Sequence, residues 1–123
     1  MANPNIINAT AIYGDNVSVS LTTTAATSIL SNAASSGKVY KIESLVVANT
    51  TASAANITIN VYSAAALGGT AYPICSTVSV PANASLIVID KSTMIYLKEN
   101  QSVGATAGTS SALVVTASWE DIS

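Results

Sequence analysis

Asp90, Lys91 and Ser92 stand in a row, and Lys98 is followed at once by Glu99, so a lysine and a carboxylate flank each end of Ser92-Thr93-Met94-Ile95-Tyr96-Leu97. A lysine beside a serine can activate the hydroxyl as a nucleophile, and two carboxylates held close can share a proton. Neither spacing supplies the third, charge-stabilising group that such chemistry needs. Adjacent opposite charges fit solvated strand ends better, where such pairs interact weakly. Glu120-Asp121 supplies two oxygen-bearing side chains, fewer than a divalent cation takes, and so reads as a polar chain segment. Cys75 falls in phase with Thr77 and Ser79, which places it on the more polar face of its strand, although a free cysteine is most often a small buried apolar group. No neighbouring base or cation is there to activate it.

Tyr13, Tyr40, Tyr62, Tyr72, Tyr96 and Trp119 could form a platform for a sugar ring, but they are dispersed along the sequence. That spacing suits core edges and interface anchors, where the ring is buried and its polar atom reaches water or a partner. Asn-x-Ser/Thr triplets begin at Asn8, Asn16, Asn49, Asn56, Asn83 and Asn100, a number that a chain this rich in Asn, Ser and Thr produces by chance. No catalytic, cofactor-binding or metal-binding set is expected, and the chain reads as a non-enzyme.

The composition narrows the field further. The 123 residues carry only four lysines and six acids, with no arginine and no histidine, for a net charge of -2. That excludes an imidazole base and histidine metal sites, and it leaves no basic patch to neutralise nucleic-acid phosphates. One cysteine cannot close an intramolecular disulfide. Charged residues are 8% of the chain, about a third of the usual share, so the surface is built of hydroxyls, amides and methyls. Such a surface repels itself weakly, and self-association follows easily. The opening Met1-Ala2-Asn3-Pro4-Asn5 lacks the basic and apolar parts of a secretory signal, and no run approaches membrane-spanning length. The expectation is a soluble chain made in the cytoplasm, with neither membrane nor nucleic acid as partner.

The elements that position these residues have the period of strands. Val17, Val19 and Leu21 alternate with Ser18 and Ser20; Ile57, Ile59 and Val61 with Thr58 and Asn60; Val78 and Val80 with Thr77 and Ser79; Leu113, Val115, Ala117 and Trp119 with Val114, Thr116 and Ser118. Turn signals separate them at Gly14-Asp15-Asn16, Ser35-Ser36-Gly37, the Ala-rich stretch ending Gly68-Gly69, Pro81-Ala82-Asn83, Glu99-Asn100 and Ala107-Gly108-Thr109. Strands are expected near 6-13, 16-22, 26-31, 38-49, 56-63, 71-80, 85-90, 94-98, 101-106 and 112-121. In the long 38-49 segment Tyr40 and Ile42 are out of phase with Leu45 and Val47. Either a bulge near Glu43-Ser44 or burial of both faces explains the switch. The fold class is all-β, an antiparallel, jelly-roll-like sandwich of about 8-10 short strands in one domain over residues 1-123. Its core is expected to contain Val17, Val19, Leu21, Ile57, Ile59, Val61, Val78, Val80, Leu113, Val115 and Trp119.

Residues 2-9, with Pro4, three asparagines, Ile6 and Ile7, read either as a first strand or as an extended arm that packs on a neighbouring subunit or adds to an open sheet edge. Asn3, Pro4, Asn5, Ile6 and Ile7 are the candidate assembly residues.

The opening Met1-Ala2-Asn3-Pro4-Asn5-Ile6-Ile7-Asn8, Leu21-Thr22-Thr23-Thr24, the block from Ser31 to Ile42, Ser79-Val80-Pro81-Ala82-Asn83-Ala84 and Ile89-Asp90-Lys91 resemble small virion structural proteins of tailed phages, those of marine cyanophages above all. The resemblance runs over nearly the whole chain as texture and short blocks. It implies a virion subunit present in many copies: a capsid decoration or cement protein, homo-oligomeric and by analogy trimeric, bound to the major capsid protein or other virion proteins. A tail, neck or baseplate component, with a host-glycan attachment role, is the alternative it leaves open.

Overall fold

A computed structural model describes residues 4–123 and shows an all-β chain. After a 3-10 turn at Ile6–Asn8 come nine strands: β1 (Ile12–Leu21), β2 (Thr27–Asn32), β3 (Val39–Asn49), β4 (Ala55–Ala64), β5 (Gly68–Val80), β6 (Ser85–Ile89), β7 (Ile95–Leu97), β8 (Gln101–Ala107) and β9 (Leu113–Ile122). One sheet runs β1-β9-β3-β6, with β7 pairing β3 beside β6; the other runs β2-β8-β4-β5. Every pairing is antiparallel. Because β6 and β7 share one flank of β3, the two sheets have the strand order of a jelly roll.

Alternation decides what lies between the sheets. Leu113, Val115, Ala117 and Trp119 of β9 point inward and are buried, beside Leu21 of β1 and Ile42, Leu45 and Val47 of β3. The opposing sheet contributes Ile57, Ile59, Val80, Val103 and Ala105. Of the expected core, Leu21, Ile57, Ile59, Val80, Leu113, Val115 and Trp119 are buried, while Val17, Val19, Val61 and Val78 pack half-buried against its margin. The phase switch in β3 is a bulge. Its register against β9 shifts between Ile42 and Ser44, so Ile42, Leu45 and Val47 all reach the core.

Two expectations fail near the start of the chain. Gly14-Asp15-Asn16 is no turn: β1 runs through it in unbroken register with β9, from Ile12 opposite Ile122 to Leu21 opposite Leu113. Gly14 has a negative φ and open space where a Cβ would stand, so nothing local demands a reversal, and ladder bonds to β9 outweigh the turn propensity. The strand expected at 6-13 therefore divides into the 3-10 turn and the first residues of β1.

Hydroxyls and amides fasten the loops. Asn49 is buried; its Nδ2 donates to the carbonyls of Ser53 (2.8 Å) and Val80 (3.0 Å), and its Oδ1 accepts from Thr51. Asn32, also buried, repeats the device with the carbonyls of Lys38 and Leu97 and the Ser36 hydroxyl. Between β4 and β5 the chain turns back over its own sheet with Ala66 and Leu67 at φ 54° and 61°. Three successive backbone N–H groups are caught there: Ala65 by Asn100 Oδ1, Ala66 by Ser31 Oγ and Leu67 by Ser102 Oγ. Leu67 then lies on Gly104, where a Cβ would stand 2.6 Å from Leu67 Cδ2 and 3.0 Å from Tyr62 Cε2. Gly104→Ala should therefore destabilise the fold by about 1–3 kcal/mol through overpacking. Adding Leu67→Ala should recover part of that loss in urea unfolding; a double variant as unstable as the sum of the singles would disprove the contact.

Candidate assembly surface

The segment proposed as an arm has a defined conformation over the residues described. Asn3 lies outside them. Asn5 caps the 3-10 turn, its Oδ1 accepting from the Ile7 N–H at 3.0 Å and its carbonyl from Asn8. Pro4 is half-buried, whereas Ile6 and Ile7 are 45% and 92% exposed. The chain is then pinned to β9, because Thr10 and Ala11 both donate to the Ser123 carbonyl and the Ser123 N–H returns a bond to Ala11. Immediately beyond, Ile12 and Tyr13 are 56% and 66% exposed. Half of the eight large apolar side chains exposed among the described residues thus fall between Ile6 and Tyr13. Ile12 and Tyr13, as successive strand residues, point to opposite faces of the sheet, so these four side chains are neighbours in sequence and offer apolar surface on more than one side of the N-terminal stretch.

The remaining candidates have structural work. Asp90 closes the β6–β7 turn: its Oδ1 accepts from the Ser92 N–H (2.9 Å), the Ser92 hydroxyl (2.6 Å) and the Thr93 hydroxyl (3.3 Å). These bonds, from Ser92 above all, hold its carboxyl below the ordinary value of 3.8. The Ser92 hydroxyl is thereby engaged as a hydrogen-bond donor to the Asp90 carboxylate. Lys91 borders a groove of about 340 Å³ beside the β3 bulge, with Glu43, Val46 and Ile87. Asp121 lies 3.0 Å from Lys38 Nζ, and this bond raises the lysine's pKa. Glu120 and Asp121, as successive strand residues, point to opposite faces of the sheet, so they do not converge on one cation. Among the described residues no three His, Cys, Asp or Glu side chains gather as a metal site.

The aromatic side chains separate as well. Tyr40 packs against Trp119 with ring centroids 6.1 Å apart, and burial first, then Asp121, pushes its hydroxyl pKa up. Tyr62 is buried, while exposed Tyr13, Tyr72 and Tyr96 lie on β1, β5 and β7, three different sheet edges. They make no common platform.

Cys75 departs from its expected face. The β4–β5 register slips between Ile57 and Ile59, with Thr77 at φ 52° and its N–H bonded to Thr58 Oγ1. That extra residue resets the phase, so Cys75 stands opposite buried Ile59 and packs at the core margin. Burial raises its thiol pKa. Sequence alternation could not register this shift, because nothing in Ser76-Thr77 marks a bulge.

Comparison with known proteins yields no match to any family model and none to any curated protein. Among solved structures, a chain of Bacillus endospore appendages, described as a novel family of disulfide-linked pili, is similar over 99% of this chain and 95% of its own, with a TM-score of 0.52 and 19% identity. That is a likeness of fold. A chain of the infectious bursal disease virus Gx strain overlaps 91% of this chain and 41% of its own, with a TM-score of 0.36 and 11% identity.

Two outcomes check the site chemistry. Asp90 has a lower pKa folded than unfolded, so its stabilisation is in place above 3.8 and is lost as pH falls through the folded value. Asp90→Asn should lower the melting temperature at neutral pH and flatten its decline between about pH 4 and pH 2; an unchanged acid limb would contradict the assignment. Cys75 should react with iodoacetamide at pH 8 at least about tenfold more slowly than free cysteine, and at the free rate once unfolded in urea.

Proposed function

We propose that this chain is a non-enzymatic structural subunit that acts in many copies, and specifically a decoration or cement subunit on the head of a tailed phage. The observation that carries the reading is the exposure of four large apolar side chains, Ile6, Ile7, Ile12 and Tyr13, within one short N-terminal stretch of a chain poor in charge. The engagement of Asp90, Ser92 and Asp121 in turns and an ion pair supports a role without chemistry. In this role the sandwich is a rigid tile. Each contact with a capsid subunit or a neighbouring copy is weak, and simultaneous contacts raise the effective affinity without any new interaction. Ile6 and Ile7 supply the apolar anchors, with self and the major capsid protein as partners and the virion as the location.

A second reading, a filament subunit, is favoured by the full-length fold likeness to the appendage chain. Disulfide linkage does not transfer with it. A covalently linked chain of subunits needs at least two linking cysteines in each, and this sequence has Cys75 alone, turned toward the core. A filament of this chain would be held by packing and strand contacts.

Quantitative mass spectrometry of purified virions distinguishes these readings. Hundreds of copies per particle are expected for decoration; a few to tens would make it a tail, neck or baseplate part. Absence from virions, with filaments visible by electron microscopy of the expressed protein, would replace the first reading with the second. Deleting residues 2–9 should leave a chain with an unchanged β-sheet circular dichroism spectrum that no longer joins the particle.

A further inference from the structure

The four sheet edges are not alike. On β5 the edge is interrupted by Pro73, which has no N–H to offer, and by register slips at three places. β2 is six residues long and bulged between Ser28 and Leu30. The β3 flank is covered by two short strands, β6 and β7, separated by the Asp90-Lys91 turn. β1 alone is long and regular: ten residues in unbroken register, without proline, lysine or bulge, and with one charge, Asp15.

The direction of its free groups follows from the ladder. Ala11 and Ser123 exchange both backbone bonds, so they form a hydrogen-bonded pair. In an antiparallel ladder such pairs alternate, and the register carries the pattern to Tyr13, Asp15, Val17, Val19 and Leu21, which face β9. Ile12, Gly14, Asn16, Ser18 and Ser20 therefore direct their N–H and C=O groups away from the sheet. The Asn16 N–H, bonded to its neighbour Asp15 Oδ1 at 2.8 Å rather than to β9, agrees with this assignment.

The geometry points to β1 as the surface on which a second copy of this chain docks, β1 against β1 in antiparallel register about a two-fold axis at Asn16. An edge needs another open edge as its partner, and among the described residues no second edge is both long and regular, since β2 and β5 are bulged or broken. The N-terminal segment is a poor donor, since the N–H groups from Ile7 to Ala11 are already bonded within the same chain. The Asn16 register is chosen because it alone brings all five outward residues into pairs: Ile12 with Ser20, Gly14 with Ser18, and Asn16 with itself. On the inner face it lays exposed Tyr13 across half-buried Val19 of the second copy, completing the margin of both cores. Charge limits the contact. The two Asp15 side chains become diagonal neighbours about 7 Å apart, and each Asp15 also occupies the central Asn16 donor. Ten residues make an edge about 30 Å long, and one strand pair of that length falls at the small end of specific interfaces. The pairing is accordingly weak, with Kd on the order of 10–100 µM.

This inference names one surface for the assembly role proposed above and rests on it only in taking the chain to meet copies of itself. Sedimentation equilibrium of the full chain from about 10 µM to about 1 mM tests it. Wild type should form a dimer, Ser18→Pro should weaken it at least about tenfold because that N–H faces away from β9, and Asp15→Asn should tighten it about two- to fivefold by removing the repulsion. Hydrogen exchange of the wild type gives a readout that needs no variant: the Ile12, Ser18 and Ser20 amides gain protection with concentration, and Val17 and Val19 do not. A monomer at about 1 mM, a dimer indifferent to Ser18→Pro, or protection gained at another edge overturns the proposal. A monomer abundant on virions would overturn this surface alone; the expected dimer, absent from virions and filaments, would overturn the assembly role alone.

Discussion

Side-chain parity governs this molecule. Successive strand residues point to opposite faces, so a sandwich with one buried layer must keep every strand in phase with the core or reset the phase where the sequence slips. β9 sets the standard, since it pairs on one side with β1 and on the other with β3 and commits four alternate residues to the interior. The bulge at Glu43 keeps β3 in step with it, and the slips in β5 do the same against β4. The groove beside Glu43, Val46 and Ile87 lies between two irregularities, the β3 bulge at Glu43 and the register slip at Val88 of β6, so the outer relief of the sheet is set where the pairing is reset.

With so few charges, hydroxyls and side-chain amides take over the fastening that ion pairs share in other domains. Asn32 and Asn49 each bind two carbonyls from separated segments, and Ser31, Asn100 and Ser102 hold three consecutive amides of one loop. Neutral bonds of this kind contribute modestly one by one, but a buried donor left without its acceptor is costly, so these loops are locked in place. The richness in Ser, Thr and Asn is thus partly internal architecture, and the outward surface is correspondingly bland.

Much of this was legible in the residues because alternation reports burial directly. The strands from β2 to β9, the seven buried members of the expected core and the phase switch in β3 follow from the spacing of Val, Ile and Leu, while the choice of a bulge over burial of both faces needed the β9 register. The failures share a cause, competition between local preference and a long-range partner. Gly14-Asp15-Asn16 has turn chemistry, yet the β9 ladder holds it extended. Cys75 is displaced by a bulge whose residues, Ser76 and Thr77, are common in any strand or loop. The capture of the Ala65–Leu67 amides depends on Ser31, Asn100 and Ser102, far away in sequence, and no local pattern announces it. Ile6 and Ile7 stood out in the sequence only as composition, and their exposure required the structure; the free edge of β1 required the topology.

The order of the strands has a bearing on how the chain reaches this state. β9, last of the nine in sequence, occupies the interior of its sheet between β1 and β3, and Ser18 meets Thr116 across 98 positions of chain. Until β9 has been made, β1 has no strand beside it and β3 lacks its longest neighbour. Loop closure over that span must precede the contacts that reward it, which places the fold among slowly folding β topologies. The sheet therefore cannot close before β9 has been made, and the surfaces through which copies would meet come into existence only after that strand.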